Sequence, residues 1–227
     1  MENRWWNSRK IEWYERASRF CDFQSLLTKE IESFITKDES IVEFGCGLGY
    51  ISENLYNHGY DVTAYDIDQE VIERAKKRSG LDIYHTADYK ESNVKRDVVL
   101  TVFFGRLWRH DNLSSFLSHG RKRLVSIHSL HIGQNDSLKA RYTPTLEESI
   151  SLLEEKGMKA RGREISIPFP QPLESMEEAK IFIEESYPGK DISLYLPYII
   201  KSGDSSFPYT FSNEKKMVIL DIQKKRR

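Results

Sequence analysis

The sequence predicts an α/β domain built on a largely parallel sheet covered on both faces, and three observations carry that expectation. Short apolar runs that stop at glycine or aspartate alternate with amphipathic stretches from residue 40 to residue 157. The runs are rich in β-branched residues, as strands buried on both faces must be. The chain, at 227 residues with 39% hydrophobic and 30% charged residues, is long enough for one substantial core and polar enough for an ordinary globular protein.

The elements follow in order. Between Glu12 and Phe34 the residues Trp13, Ala17, Phe20, Leu27, Ile31 and Phe34 recur at helical spacings, predicting one helix or two in succession. "SIVEF" (40–44) reads as a buried strand and "YISENLYNHG" (50–59) as a helix closed by glycine. "DVTAYD" (61–66), "DIYHTAD" (82–88), "DVVLTVFF" (97–104) and "RLVSIHS" (123–129) read as strands two to five. The helices between them are expected at 69–80 and 112–120, followed by 145–157, where Thr145 is the N-cap and Glu148 its capping-box partner. A sixth strand is expected at 158–169 and a seventh at 215–223. The segment between these last two, with Pro168, Pro170 and Pro172, a helix at 175–187 and many aromatic residues, reads as an inserted lid or substrate-binding segment. The expected division is therefore an N-terminal helical cap at 1–38 and an α/β domain at 39–227 that carries an insertion at 168–214.

The totals exclude several classes. No apolar run approaches the ~20 residues that span a bilayer, and "MENRWWNSRK" lacks the apolar core of a secretory signal. Two cysteines, Cys21 and Cys46, argue against a disulfide framework and for a reducing cytoplasm. With 34 basic and 35 acidic residues nothing global suggests a nucleic-acid partner, and the runs "GRKR" (120–123) and "KKRR" (224–227) read as solvated loops or tails.

The stretch "VEFGCGLGY" (42–50) places glycines at 45, 47 and 49, after a strand and before a helix, so it lies at the carboxyl edge of the sheet, where open α/β folds bind ligands. A phosphate-binding P-loop would end in Gly-Lys-Ser/Thr, and this loop does not. A dinucleotide fingerprint would need its third glycine at Tyr50, one residue later than Gly49. With Glu43 two places before the first glycine, the spacing resembles motif I of class I S-adenosylmethionine-dependent methyltransferases. Asp66 at the end of strand two, Asp88 in "TAD" after strand three and "TVFFG" after strand four add to the resemblance, which covers residues 40 to 223 in architecture.

The resemblance implies a Rossmann-like seven-stranded sheet whose last strand runs antiparallel, with an N-terminal helical lid. It implies S-adenosyl-L-methionine as cofactor and S-adenosyl-L-homocysteine as product. Gly45, Gly47 and Gly49 would shape the cofactor loop, with backbone contacts from Cys46 and Leu48. Asp66 would hold the ribose, Ile67 pack on the adenine face, Asp88 meet the adenine amino group and Glu43 orient the loop or the cofactor's ammonium group. A structural role for Glu43 alone is the competing account.

The acceptor is expected over the ends of strands four and five, in reach of Phe104, Arg106 and Trp108, with His110 or His131 as a base if the acceptor arrives protonated. Trp13 and Tyr14, or Trp5 and Trp6, would close the site, against the alternative that this helix simply packs in a core. His128 and His131 form H-x-x-H with no third ligand at suggestive spacing, so no metal is expected. The place of an Asn/Asp-Pro-Pro-Tyr or Pro-Cys motif is held by "TVFFG", which disfavours DNA adenine, protein glutamine and cytosine-5 acceptors. The aromatic lid and insertion favour a small-molecule acceptor, with no membrane or nucleic-acid partner. An RNA or protein acceptor, a non-catalytic binder of the cofactor, and a nicotinamide oxidoreductase are the alternatives.

Overall fold

A computed structural model describes residues 6–104, 107, 112–130 and 144–224. The first helical run breaks in two, α1 (Ser8–Phe20) and α2 (Phe23–Glu32), because Cys21 takes an extended conformation at φ -144°. There follow β1 (Ser40–Phe44), α3 (Tyr50–Asn57), β2 (Asp61–Asp66), α4 (Gln69–Ser79), β3 (Tyr84–Thr86), β4 (Arg96–Val102), α5 (Asn112–His119), β5 (Gly120–Ser129), α6 (Leu146–Glu155) and β6 (Met158–Pro168). The chain continues through β7 (Gln171–Leu173), α7 (Met176–Ser186), two 3-10 turns, β8 (Ile199–Lys201), β9 (Tyr209–Phe211) and β10 (Glu214–Lys224).

Contacts divide the chain into two compact units, residues 24–166 with 216–227 and residues 1–23 with 167–215. The expected cap ran to residue 38, but the division falls after Phe23, and the first helix shares a unit with the inserted segment.

The larger unit is built on a sheet of order β3-β2-β1-β4-β5-β10-β6. The first five strands pair in parallel and β10 runs antiparallel to β5, with Met217 opposite Ser129. Alternation along the strands makes two buried faces. On one, Val42, Phe44, Val99, Leu124, Val218 and Leu220 pack with Phe116 and Leu117 of α5 and Leu153 of α6. On the other, Ile41, Val98, Leu100, Val125, Ile127 and Ile219 are buried too. Thr145 caps α6 and Glu148 reaches back to complete the predicted capping box. β3 is shorter than expected because Asp88 accepts the amide of Lys90 at 2.9 Å and turns the chain away from the ladder.

The smaller unit has its own core of Leu173, Ala179, Ile183 and Phe211. Its three-stranded antiparallel sheet, of order β7-β9-β8, was not legible in the sequence. Each strand has three residues, too few to show a period, and Pro172 is tolerated because β7 is an edge strand. Ser175 caps α7 through the amide of Glu178. Glu178 also accepts from the Trp13 indole at 3.0 Å and the Arg16 guanidinium at 2.8 Å, tying α1 to α7.

Candidate functional site

The glycine loop leaves β1 at the carboxyl edge of the sheet and enters α3, as the alternation of elements demands. Its backbone is anchored to the end of β2. The amides of Gly45 and Cys46 both donate to the Tyr65 carbonyl, at 2.8 and 3.0 Å, and the amide of Gly47 donates to Asp66 Oδ2 at 2.8 Å. Gly45 and Gly49 sit at φ 70° and 73°, where side chains are strained. A Cβ on Gly45 would fall 2.0 Å from the Phe104 ring, and one on Gly49 2.3 Å from the Tyr84 ring. Glycine is required there by the protein's own aromatic packing.

Asp66 sits between backbone donors. Its Oδ1 takes the Asp68 amide at 2.9 Å, so each oxygen already holds one hydrogen bond and keeps a lone pair for another. Burial raises its pKa, against the lowering by those amides. Ile67, next in sequence, is 69% exposed, an apolar side chain left open beside the carboxylate. Asp88 follows β3, half-buried.

Behind the loop, Glu43 is buried and accepts a hydrogen bond from the Ser52 hydroxyl. Burial, with the nearby Asp66 charge, pushes its carboxyl up to about 7 against the pull of Ser52. Burial also raises the Cys46 thiol well above its ordinary value, so it is no nucleophile at neutral pH. Three residues that hold the loop carried no motif in the sequence. Ser52 anchors Glu43, Tyr84 donates its hydroxyl to the Gly49 carbonyl at 3.0 Å, and Arg78 of α4 donates to the Leu48 carbonyl at 2.7 Å while pairing with Glu53. The Arg78 guanidinium also lies 3.7 Å from the Tyr50 ring centroid. Only the contiguity of Tyr84 with the strand ending in "TAD" hinted at any of them.

At the end of β4, Phe103 has φ 54°, positive among the described residues only here outside glycine, and is 42% exposed. Phe104 turns inward against Tyr89 and Phe116, with its ring over Gly45, so it supports the glycine loop directly. Thr101 and Ser126, side by side on β4 and β5, share a buried hydrogen bond of 2.9 Å. His128 follows on the same face of β5, where burial lowers its pKa and keeps the imidazole neutral.

Trp13 lies in the core of the smaller unit, 4% exposed and edge-on to Phe182 at 5.1 Å, which is the packing alternative for this residue. Tyr14 stays half-buried against Trp6 and Phe169. Arg106, Trp108, His110, His131 and Trp5 lie outside the described residues. In the basic run, Arg123 pairs with the buried Glu39 at 2.7 Å, and Lys122 and Arg121 lie within 4.0 Å of Asp97, so these charges are spent within the protein. Among the described residues no group of three His, Cys, Asp or Glu could hold a metal, and no helix is long and apolar enough to cross a membrane.

Residues 41–125 match the family described as "Methyltransferase domain". The larger unit has the fold of class I methyltransferases. The matched stretch runs from β1 through β5 and contains the glycine loop, Asp66 and Asp88, and the sheet order with its antiparallel β10 belongs to the same fold. Over 71 residues the chain is 33% identical to the mouse (Mus musculus) eEF1A lysine and N-terminal methyltransferase, a stretch that makes up 31% of this chain and 9% of the mouse protein. The chain thus corresponds to a small part of that relative. Among solved structures, a magnesium protoporphyrin IX methyltransferase from Synechocystis PCC 6803, crystallised with bound SAM, superposes with a TM-score of 0.51 at 12% identity, covering 97% of this chain and 86% of that one. A protein of unknown function from Deinococcus radiodurans R1 superposes with a TM-score of 0.57 at 8% identity, covering 96% and 100%. At these identities the likeness concerns the fold.

Proposed function

We propose that the chain is an S-adenosylmethionine-dependent methyltransferase that transfers a methyl group to a small-molecule acceptor. The observation that carries this reading is the glycine loop pinned to Asp66 at the carboxyl edge of the sheet, with the exposed Ile67 beside it. The residues fit the cofactor: Gly45 to Gly49 offer close backbone approach, Asp66 keeps lone pairs for the ribose hydroxyls, Ile67 offers an apolar face to the adenine and Asp88 an acceptor to its amino group. Glu43, from behind the loop, orients it toward the cofactor's ammonium group. S-adenosylmethionine supplies a methyl group already activated by the positive charge on sulfur. The chain's own task is therefore alignment of the acceptor and exclusion of water.

Phe103 and Phe104 at the end of β4 fit that task, together with Arg106 and Trp108. Trp13 contributes only through the packing that holds α1 in the smaller unit. His110 or His131 takes the acceptor's proton where one must leave. The paired basic run favours a small molecule over RNA, and the two free cysteines favour a reducing, cytoplasmic setting. A protein acceptor is the second reading, favoured by the mouse relative, which by its name methylates a lysine and an N-terminus.

Calorimetric titration with S-adenosylmethionine, S-adenosylhomocysteine and NAD tests the cofactor reading. The first two should bind in the micromolar range and NAD should not. Asp66→Asn, which keeps a carbonyl acceptor for one amide, should weaken nucleoside binding by at least about tenfold, the loss of one charged hydrogen bond. NAD binding alone, or unchanged affinity in Asp66→Asn, would overturn the assignment.

A further inference from the structure

The two halves of the glycine loop are fastened by different means. The first half hangs from β2 by its amides, those of Gly45 and Cys46 on the Tyr65 carbonyl and that of Gly47 on Asp66. The second half is held through its carbonyls, by side chains of the larger unit. Arg78, in the last turn of α4, donates one terminal nitrogen to the Leu48 carbonyl at 2.7 Å, and the Tyr84 hydroxyl donates to the Gly49 carbonyl at 3.0 Å. The same guanidinium gives its Nε to Glu53 Oε2 at 3.1 Å, meets that oxygen again through its other terminal nitrogen, and lies 3.7 Å from the centroid of the Tyr50 ring. Leu48, Tyr50 and Glu53 run from the loop into the first turn of α3, so one side chain grips the whole junction.

A helix-end charge alone does not account for this placement. The last turn of α4 carries Lys76, Lys77 and Arg78, and any of them complements the negative end of the helix dipole. Lys76 and Lys77 are exposed, whereas the Arg78 side chain is 24% exposed and turned onto the loop. A guanidinium has the donors, in a flat fork, to serve a carbonyl and a carboxylate while its face covers a ring, and an ammonium does not. Glycine loses the most conformational freedom on ordering, and Gly47 and Gly49 flank Leu48 at φ 53° and 73°. A carbonyl held between them fixes a peptide that neither glycine fixes by itself. α4 also begins beside the other anchor of the loop, since its N-cap Asp68 donates its amide to Asp66 Oδ1 at 2.9 Å. One helix thus runs from the carboxylate assigned to the ribose to the exit of the glycine loop.

We infer that Arg78 is a positioning residue for the amino-acid end of the cofactor: by holding the Leu48 carbonyl it keeps the exit of the glycine loop ordered before the ligand arrives. The inference rests on the methyltransferase reading above, in which the loop takes the ammonium end while Asp66 and Ile67 take the nucleoside. A loop ordered in advance binds without the ordering cost, so the loss of Arg78 falls on the part of the ligand that the loop holds. Asp66 is oriented by Gly47 and Asp68, contacts that do not involve Arg78, and the nucleoside keeps its affinity.

The test compares S-adenosylhomocysteine with 5′-methylthioadenosine, which keeps the nucleoside and its thioether and lacks the amino-acid group, by calorimetry on the full chain. Arg78→Met should weaken S-adenosylhomocysteine at least about tenfold and 5′-methylthioadenosine less than about threefold. Adding Glu53→Gln, which removes the charge left behind, should recover none of that loss, whereas a purely structural ion pair would regain most of it. Without ligand, the Gly49 amide, bonded to the Cys46 carbonyl at 2.9 Å, should exchange at least about tenfold faster in Arg78→Met, with the Cys46 amide at its wild-type rate. Equal losses for the two ligands, unchanged affinity for S-adenosylhomocysteine, recovery in the double variant, or unchanged exchange at Gly49 would each overturn the inference. Any of these in a chain whose wild type binds S-adenosylhomocysteine removes the inference alone. Failure of the wild type to bind S-adenosylhomocysteine removes the methyltransferase reading, and exchange at Gly49 then decides whether the clamp on the loop stands.

Discussion

Glu43 shows how one residue can look like a ligand in sequence and act through its neighbours in structure. Its place two residues before Gly45 marks it out in any reading of the loop, but its carboxyl is buried and bonded to Ser52. Nothing in the sequence announces that burial, because Ser52 lies nine residues away on a helix with no motif. The consequence is measurable. A glutamate ordinarily titrates near 4.5, and in the folded chain this one is pushed up to about 7. Folding therefore takes up a proton between those two values. The stability this contributes is full below pH 4.5 and is lost as pH rises through 7, on the order of 3 kcal/mol in all. Glu43→Gln has no such dependence. The stability of the variant relative to wild type, from urea unfolding across pH 4 to about 8, should rise between 4.5 and 7 and level off above. A difference that stays flat with pH would mean that Glu43 is ionised throughout.

At the scale of the element, the strand-loop-helix from β1 to α3 was the most legible part of the chain, and the smaller unit's sheet the least. Glycines at 45, 47 and 49 after an apolar run can only mark a turn with close approach, and the expected bounds of β1 hold to the residue. What the sequence could not say is which atoms make the approach close. At Gly45 it is the ring of Phe104, which residue spacing had placed against the acceptor. The sheet of β7, β8 and β9 went unread because three-residue strands have no period and its pairing partners are up to 40 residues apart. Gly45→Ala should therefore fail for two separable reasons, a Cβ that collides with Phe104 and a strained positive φ. Chemical unfolding should place the single variant at least about 2 kcal/mol below wild type. Phe104→Ala should cost less in the Gly45→Ala background than in wild type, since the collision goes while the strain of about 1 kcal/mol stays. Strictly additive losses in the double variant would show that Phe104 does not occupy the space over Gly45.

For the whole molecule the deciding feature is that one compact unit is made from two distant stretches of chain, residues 1–23 and 167–215. The sequence showed both pieces, a leading aromatic helix and an aromatic insertion, without showing that they fold together. Beside the ring contacts of Trp13 with Phe182 and of Phe23 with Phe169, a polar knot joins them: Glu178 at the head of α7 receives the Trp13 indole and the Arg16 guanidinium, and the Glu174 amide closes the same carboxylate. Arg16 is buried at 7% exposure, so its removal strands a largely covered carboxylate without its cation. Breaking such a pair from one side costs about 3–5 kcal/mol, more than replacing both partners would. Because the larger unit has a separate core, that cost should fall on the smaller unit alone. Hydrogen exchange on Arg16→Met should then show faster exchange in α1, α7 and β9, with β1, β4 and β5 protected as in wild type. Arg16→Met combined with Glu178→Leu should recover much of the protection, since the stranded charge is gone. If exchange quickens equally in β1, β4 and β5, the two units unfold as one, and the division of the chain at Phe23 has no energetic meaning.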